Sequence, residues 1–256
     1  MSRLSRHYLC VTFSIMLICW GSCVICSING IFLQEHYFLY LPYLLGGLSP
    51  TIASYIVLKK SGKVKGFKEW SRNVFDFRQP VRSYAVVILL AVLYMLPQCL
   101  VSGYDKGAPL PAIFFMIPMM LIGGGLEEAG WRYILQPELE KGCSFTIATV
   151  IVGLIWWLWH LPLFYIQGVA QYEMNYLAFG VSVIGLSFAL ASIRKCTGSV
   201  WLCVLFHATA NSLSGIYLIH ENIWGNIVSS VILIAFVFIL LWLHGRSGIP
   251  QKQDGV

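Results

Sequence analysis

The sequence predicts an all-α polytopic membrane protein with about eight transmembrane helices in one bundle. Of its 256 residues, 58% are hydrophobic and only 11% are charged, and the mean hydropathy is +0.74. Soluble domains are typically about 45–50% apolar and about 25% charged. The apolar residues also form runs of about 20, the length that spans a bilayer as a helix. The composition therefore predicts a lipid-facing surface and a single transmembrane domain over residues 1–256.

Eight apolar runs follow one another along the chain. Each is predicted to be a helix, because backbone groups in lipid must form their hydrogen bonds within the segment. The first run follows Arg3 and Arg6, is too long for a cleaved signal peptide and lacks a cleavage motif, so we expect a retained signal anchor. The approximate bounds of the runs are 8–30, 37–58, 81–103, 109–131, 144–167, 175–193, 199–219 and 225–244.

The basic residues predict the orientation of these helices. Cytoplasmic loops carry an excess of Lys and Arg. With the N-terminus placed in the cytoplasm, sixteen of the seventeen basic residues fall inside, and only Lys106 falls outside. This predicts a multi-pass protein of the cell membrane with both termini cytoplasmic. The net charge of +6 is spread over short clusters, without a nucleic-acid-binding motif, so a nucleic-acid partner is not expected.

The loop at 59–82 is the longest stretch between two runs. Phe67, Trp70, Val74 and Phe77 recur in it at roughly helical spacing among basic residues. The pattern is typical of an amphipathic helix on the inner leaflet of the bilayer. A solvated basic loop with incidental aromatic residues accounts for it equally well.

A few ionisable residues lie inside apolar runs. They are Glu127 and Glu128 in the fourth run, His160 in the fifth and His207 in the seventh. A charged group near the middle of a bilayer costs about 3 kcal/mol even on the scale that rates it lowest. Such residues therefore indicate a functional site, although a polar network that fixes helix packing remains the structural alternative.

Helical spacing assigns different environments to the two glutamates. Residues four apart share a helix face, so Glu128 is predicted to pair with Arg132 and to leave Glu127 unmatched. In the seventh run His207 and Asn211 are also four apart, and their two side chains could hold a developing oxyanion or make packing contacts. Glycines precede the glutamate pair and would allow close approach of a helix or of a substrate backbone.

These residues resemble the motifs of a known family. The family is that of the CAAX-protease and bacteriocin-processing intramembrane peptidases, which includes the type II CAAX prenyl endopeptidases. The resemblance covers about 110–215, which it identifies as a catalytic core. The family's second motif usually begins with Phe, and the Trp at this position is expected to change the shape of the pocket more than its chemistry. The motifs are Glu127-Glu128-x-x-x-Arg132, Trp156-x-x-x-His160 and His207-x-x-x-Asn211.

The resemblance implies a role for each motif residue. It implies an endopeptidase in which Glu127 activates a water, His160 helps to bind that water, and His207 and Asn211 stabilise the oxyanion. Glu128 and Arg132 would support this arrangement. The substrate would be a peptide or protein, membrane-associated or prenylated among the candidates, cut near the cytoplasmic face of the lipid bilayer.

The sequence leaves the cofactor and two other functions open. A divalent metal such as zinc is a candidate cofactor, with Glu127, His160 and His207 as candidate ligands. No His-Glu-x-x-His helix is present, which slightly favours a metal-free glutamate mechanism. The other functions are a transporter or ion relay that uses the same groups, and an inactive immunity or scaffold member of the family. A peptidase requires the groups to meet in one cavity, yet the fourth run, ending at 131, places Glu127 nearer the inner face than His160.

Overall fold

The computed structural model describes residues 1–246 and confirms an all-α fold. The predicted positions of Lys252 and of the C-terminus lie outside the described residues. The longer α-helices are α1 (Arg3–Ile28), α2 (Tyr40–Gly47), α3 (Ser49–Lys60), α4 (Phe67–Val74), α5 (Val81–Ser102), α6 (Ile113–Ile122), α9 (Phe145–Trp159), α10 (Tyr176–Thr197), α11 (Val200–Ile216) and α12 (Ile223–Arg246).

Shorter elements connect them. Within the described residues a two-stranded antiparallel ribbon pairs β1 (Tyr104–Lys106) with β2 (Tyr217–Ile219). Two short α-helices, α7 (Glu128–Gly130) and α8 (Gln136–Glu140), flank a π-helical turn at Trp131–Leu135. The 3-10 helices are Tyr37–Leu39, Leu110–Ala112, Gly125–Glu127, Leu161–Tyr165 and Ala170–Glu173.

All eight predicted runs are helical, but the count of eight transmembrane helices is not confirmed. In the described part of the chain six helices are long and apolar enough to cross a membrane. A seventh span would join Tyr37–Gly47 to Ser49–Lys60, which are bent by 50° relative to each other. The remaining helix, α11, has 17 residues, or about 26 Å at about 1.5 Å per residue, and most of its length is buried inside the bundle.

The fourth span is longer than the sequence predicted. It runs over Leu110–Glu140 with 31 residues, whereas the prediction ended it at residue 131. Arg132 was expected to follow the span, and it lies within it with a fully buried side chain. The prediction ended the span before Arg132 because a charged side chain inside a membrane is costly. In the structure Glu128 pairs with Arg132 inside the protein and neutralises that charge.

The basic loop contains a helix, which agrees with the helical part of one interpretation of 59–82, but it ends at Val74 and leaves Phe77 outside; its place on the inner leaflet stays a prediction. This helix, α4, buries Trp70 and Val74, and the Trp70 indole N–H donates a hydrogen bond to Ser54 Oγ at 2.9 Å. Phe67 and Phe77 stay exposed. The buried face of α4 therefore packs against the helical bundle.

The helices run alternately up and down, so the loops gather at two opposite ends of the bundle. At one end, which we call the basic end, Lys195 pairs with Glu140 at 2.9 Å and Lys141 pairs with Glu138. At the other end, which we call the ribbon end, the backbone N–H of Gln167 donates to Ser27 Oγ at 2.9 Å. The β1–β2 ribbon also lies there.

Candidate active site

Glu127 lies where the fourth span changes direction. Helix α6 ends at Ile122, and a turn with two glycines leads into the 3-10 helix that ends at Glu127. The carboxylate is buried, with 8% of the residue exposed. Its Oε2 accepts a hydrogen bond from the indole N–H of Trp156, with a 2.8 Å Nε1–Oε2 distance. Trp156 thus fixes one carboxylate oxygen of the predicted base.

Glu128 is fully buried and holds two cationic or polar partners. Its Oε2 accepts from Arg132 Nε at 3.1 Å, which is the predicted pair at helical spacing. Its Oε1 lies 2.9 Å from Nδ1 of His207 on α11. Glu128 therefore connects the arginine to one of the two predicted oxyanion donors, and Glu127 is left outside this ion pair as predicted.

Arg132 is held on its other side by uncharged groups. Its Nη1 donates to Gln136 Oε1 at 3.0 Å and its Nη2 donates to Ser187 Oγ at 3.2 Å. Gln136 in turn donates to Glu140 Oε1 at 2.8 Å. The sequence analysis missed Gln136 and Ser187, although the four-residue spacing from Arg132 to Gln136 and on to Glu140 was a usable signal.

His207 and Asn211 meet at Gly124. A Cβ on Gly124 would lie 2.4 Å from Asn211 Nδ2 and 3.1 Å from His207 Nε2. The glycine therefore allows the backbone of the turn to approach both side chains. Because Nδ1 of His207 is engaged by Glu128, Nε2 is the nitrogen that faces the turn.

His160 caps the C-terminal end of α9. Its Nδ1 lies 2.8 Å from the backbone carbonyl oxygen of Trp156, and 7% of the residue is exposed. Trp156 packs against both histidines, with ring centroids 5.7 Å from His160 and 5.3 Å from His207. The same indole therefore contacts Glu127 and both imidazoles.

The longer fourth span also removes the mismatch in depth. Glu127 lies near the middle of Leu110–Glu140, well away from the basic end. His160 lies near the ribbon end of Phe145–Tyr165. The mismatch came from ending the fourth span at residue 131, nine residues before Glu140.

One cavity of about 590 Å³ contains the four predicted catalytic side chains, which are Glu127, His160, His207 and Asn211. It continues between α2, α6 and α10 and reaches the loops of the ribbon end around Glu173 and Glu221. The cavity therefore occupies the half of the bundle opposite the basic loops, and cleavage near the cytoplasmic face stays a prediction.

Trp156 corrects a second expectation. Its replacement of the family's usual Phe was expected to alter shape more than chemistry. A phenyl ring has no N–H, whereas the Trp156 indole donates directly to the carboxylate of Glu127. The change is therefore chemical as well as steric. The contact was hidden from sequence analysis because the two residues lie on different helices, 29 positions apart.

The arrangement does not fit a metal site. Among residues 1–246 no three His, Cys, Asp or Glu side chains come together in a way that could hold a metal ion. Nδ1 of each histidine is hydrogen-bonded, to Trp156 O in one case and to Glu128 in the other, which leaves Nε2 as the nitrogen that each could offer to a metal. A zinc site needs at least three protein ligands around one point, and the candidate ligands Glu127, His160 and His207 do not supply it.

Two comparisons with known proteins identify what the chain is similar to. Residues 109–213 match the sequence model of a family described as type II CAAX prenyl endopeptidase Rce1-like. A CAAX prenyl protease 2 from Methanococcus maripaludis is 25% identical over 215 residues, which cover 78% of this chain and 76% of the relative. Both matches support a multi-pass membrane protein that acts as a protease. The resemblance predicted from the motifs is confirmed: the chain is similar to the type II CAAX prenyl endopeptidases, and the family model covers the segment that contains all three motifs.

Proposed function

We propose that the protein is an intramembrane endopeptidase in which Glu127 activates a water for attack on a peptide carbonyl. The observation that carries this proposal is the shared cavity of Glu127, His160, His207 and Asn211. Glu127 is unpaired with Arg132, is held by Trp156 and faces space large enough for a peptide. A carboxylate so placed can act as a general base on a bound water.

In the proposed reaction the water oxygen bonds to the carbonyl carbon while its proton passes to Glu127. The electron pair of the C=O double bond moves to oxygen and forms a tetrahedral oxyanion. When this intermediate collapses, the C–N bond breaks and Glu127 returns the proton to the leaving nitrogen. Glu127 thus acts first as base and then as acid, and no covalent enzyme intermediate forms.

His160 is suited to hold the water. If its Nδ1 carries the proton and donates to the Trp156 carbonyl, its Nε2 is the nitrogen with a lone pair. That nitrogen can accept a hydrogen bond from the water and leave the oxygen lone pair free to attack. The packing of His160 between Trp159 and Phe179, at ring distances of 4.8 and 5.0 Å, fixes the imidazole in this orientation.

His207 and Asn211 are suited to bind the oxyanion. Asn211 donates from its amide, and His207 donates from Nε2 when both ring nitrogens carry protons. In that state Nδ1 donates to Glu128, so the carboxylate stabilises the positive ring. Arg132 holds Glu128 in place. The buried ion pair therefore supports the oxyanion donor, and it takes no direct part in proton transfer.

The proposed mechanism uses no metal. It is supported by the lack of a three-ligand cluster in the described residues. The proposed substrate is a peptide or protein segment, since the cavity wall combines apolar and aromatic side chains such as Trp20, Tyr94 and Phe179. A prenylated CAAX peptide is one candidate within this class.

The ion-relay function has one observation in its favour. Hydrogen bonds join Glu128, Arg132, Gln136 and Glu140 in a row along one helix face, and Lys195 follows at the basic end. An ion relay predicts a proton or cation flux across proteoliposomes that stops when Gln136 is replaced by Leu. The peptidase proposal predicts no such flux.

A comparison of peptides between two cell lines tests the proposed function. One line carries the wild-type protein and the other carries Glu127→Gln, with equal amounts of folded protein in the membrane. We expect cleavage products that are present with the wild type and absent with the variant. Identical peptide patterns would refute the peptidase and would favour an inactive member of the family.

A further inference from the structure

The cavity lies entirely in one half of the bundle. Its deepest side chains are the proposed catalytic residues, and its outer wall comes from 170–175 and 217–222. Glu173, His220 and Glu221 of this wall are exposed. No residue of the basic loop 59–82 lines the cavity. The cavity therefore meets solvent at the ribbon end.

Hydrogen bonds hold the rim of the cavity in a fixed position in the fold. The backbone N–H of Asn175 donates to the carboxylate of Glu221. The N–H of His220 donates to Gly103 O at 3.2 Å, and its ring lies 3.2 Å from Asp105 Oδ2. These contacts attach the rim to the β1–β2 ribbon, so the opening has a defined position relative to the helices.

The two ends of the bundle differ in their charged residues. In the described residues the basic end carries Arg3, Arg6, Lys141, Arg194, Lys195, Arg246 and all eight basic residues of 59–82. The ribbon end carries Lys106 together with Glu35, Asp105, Glu173 and Glu221. Short loops rich in Lys and Arg are retained in the cytoplasm. This distribution places the ribbon end on the extracytoplasmic side of the membrane.

We propose that the cavity takes its substrate from the extracytoplasmic face, so that the substrates are peptide segments exposed on that side of the membrane. The inference rests on the proposed function for its chemistry and on the cavity and the charge distribution for its direction. Among the lining residues, the carboxylates of Glu173 and Glu221 face this entrance and no Lys or Arg does. A neutral or cationic segment can therefore approach without repulsion.

Thiol labelling tests the direction independently of any proteolysis. Ser214 lines the cavity, and Ser61 is exposed at the basic end, so Ser214→Cys and Ser61→Cys form a matched pair. Gln171→Cys reports on the rim if Ser214→Cys does not fold or is out of reach. The unmodified protein, which has eight free cysteines, gives the background.

A membrane-impermeant maleimide is added to intact cells and to inside-out vesicles. We expect Ser214→Cys and Gln171→Cys to be labelled in intact cells, and Ser61→Cys only in inside-out vesicles. The opposite pattern, or labelling of the cavity and basic-end positions from the same face, would overturn the proposal.

The positions of the cuts test the substrate class. Cleavage sites that depend on Glu127, compared between wild type and Glu127→Gln, should fall in segments exposed outside the cytoplasm. Glu127-dependent cuts confined to cytoplasmic segments would overturn the access proposal and leave the peptidase function standing. If no cut depends on Glu127, the proposed function fails and the extracytoplasmic substrate class falls with it, whereas the labelling still decides which face the cavity meets.

Discussion

Removal of one member of the Glu128–Arg132 ion pair should destabilise the protein strongly. Both side chains are fully buried, so Glu128→Ala leaves the guanidinium of Arg132 without an anionic partner, hydrogen-bonded to the uncharged Gln136 and Ser187. Breaking a buried pair from one side typically costs about 3–5 kcal/mol of unfolding free energy, because a charge stays buried without compensation. Arg132→Ala should cost a similar amount.

The double variant Glu128→Ala/Arg132→Ala separates this charge effect from lost packing. It leaves no uncompensated charge, so its cost should fall short of the sum of the single variants by about 2–3 kcal/mol. The measurement is the free energy of unfolding from denaturant titration in mild detergent micelles. Lys141→Ala is the control, because 62% of the Lys141 side chain is exposed in its pair with Glu138, and ion pairs with an exposed member contribute about 0–1 kcal/mol. Single variants that lose no more unfolding free energy than Lys141→Ala, or losses that simply add in the double variant, would show that the buried pair does not act as a coupled unit.

Three further predictions concern the reaction. Trp156→Phe keeps an aromatic ring but removes the N–H donor to the base, and should lower kcat by about 10- to 100-fold; Trp157→Phe, whose N–H bonds outside the cavity, is the control. Gly124→Ala should lower kcat by about 100- to 1000-fold, as loss of an oxyanion donor does, because the added Cβ would lie 2.4 Å from the side-chain amide nitrogen of Asn211. Gly123→Ala is the control, since its Cβ would meet no atom closer than 3.4 Å. Chelators should leave the cleavage rate unchanged; zinc-reversible inhibition would contradict the metal-free mechanism.

The helices and the ion pair were predictable because both depend on local periodicity. Runs of about 20 apolar residues predict helices whatever their neighbours are, and the four-residue spacing of Glu128 and Arg132 predicts a shared face. The end of the fourth span was not predictable in this way. The sequence does not distinguish an arginine buried within a span from an arginine at the end of one. In the structure the contacts of Arg132 with Gln136 and Ser187 show that it is buried within the span.

The parts of the site that join different helices could not be predicted from the chain alone. Trp156 reaches Glu127 from α9, and Glu128 reaches His207 on α11. Both contacts depend on how helices pack. The position of the cavity depends on packing too, since residues from the loops around Glu173 and Glu221 close its outer wall. Motif order indicated which residues act together, and the packing determines from which end a substrate reaches them.

The most direct test is the rate at which purified protein cleaves a peptide identified by the comparison of cell lines. Glu127→Gln keeps the size of the side chain and its contact with Trp156 can persist, but the amide cannot accept the proton of the water. We expect a fall in rate of about 100- to 10,000-fold, with an unchanged free energy of unfolding and with wild-type activity in Glu69→Gln at the basic end. Cleavage by Glu127→Gln at the wild-type rate would contradict the assignment of Glu127 as the base.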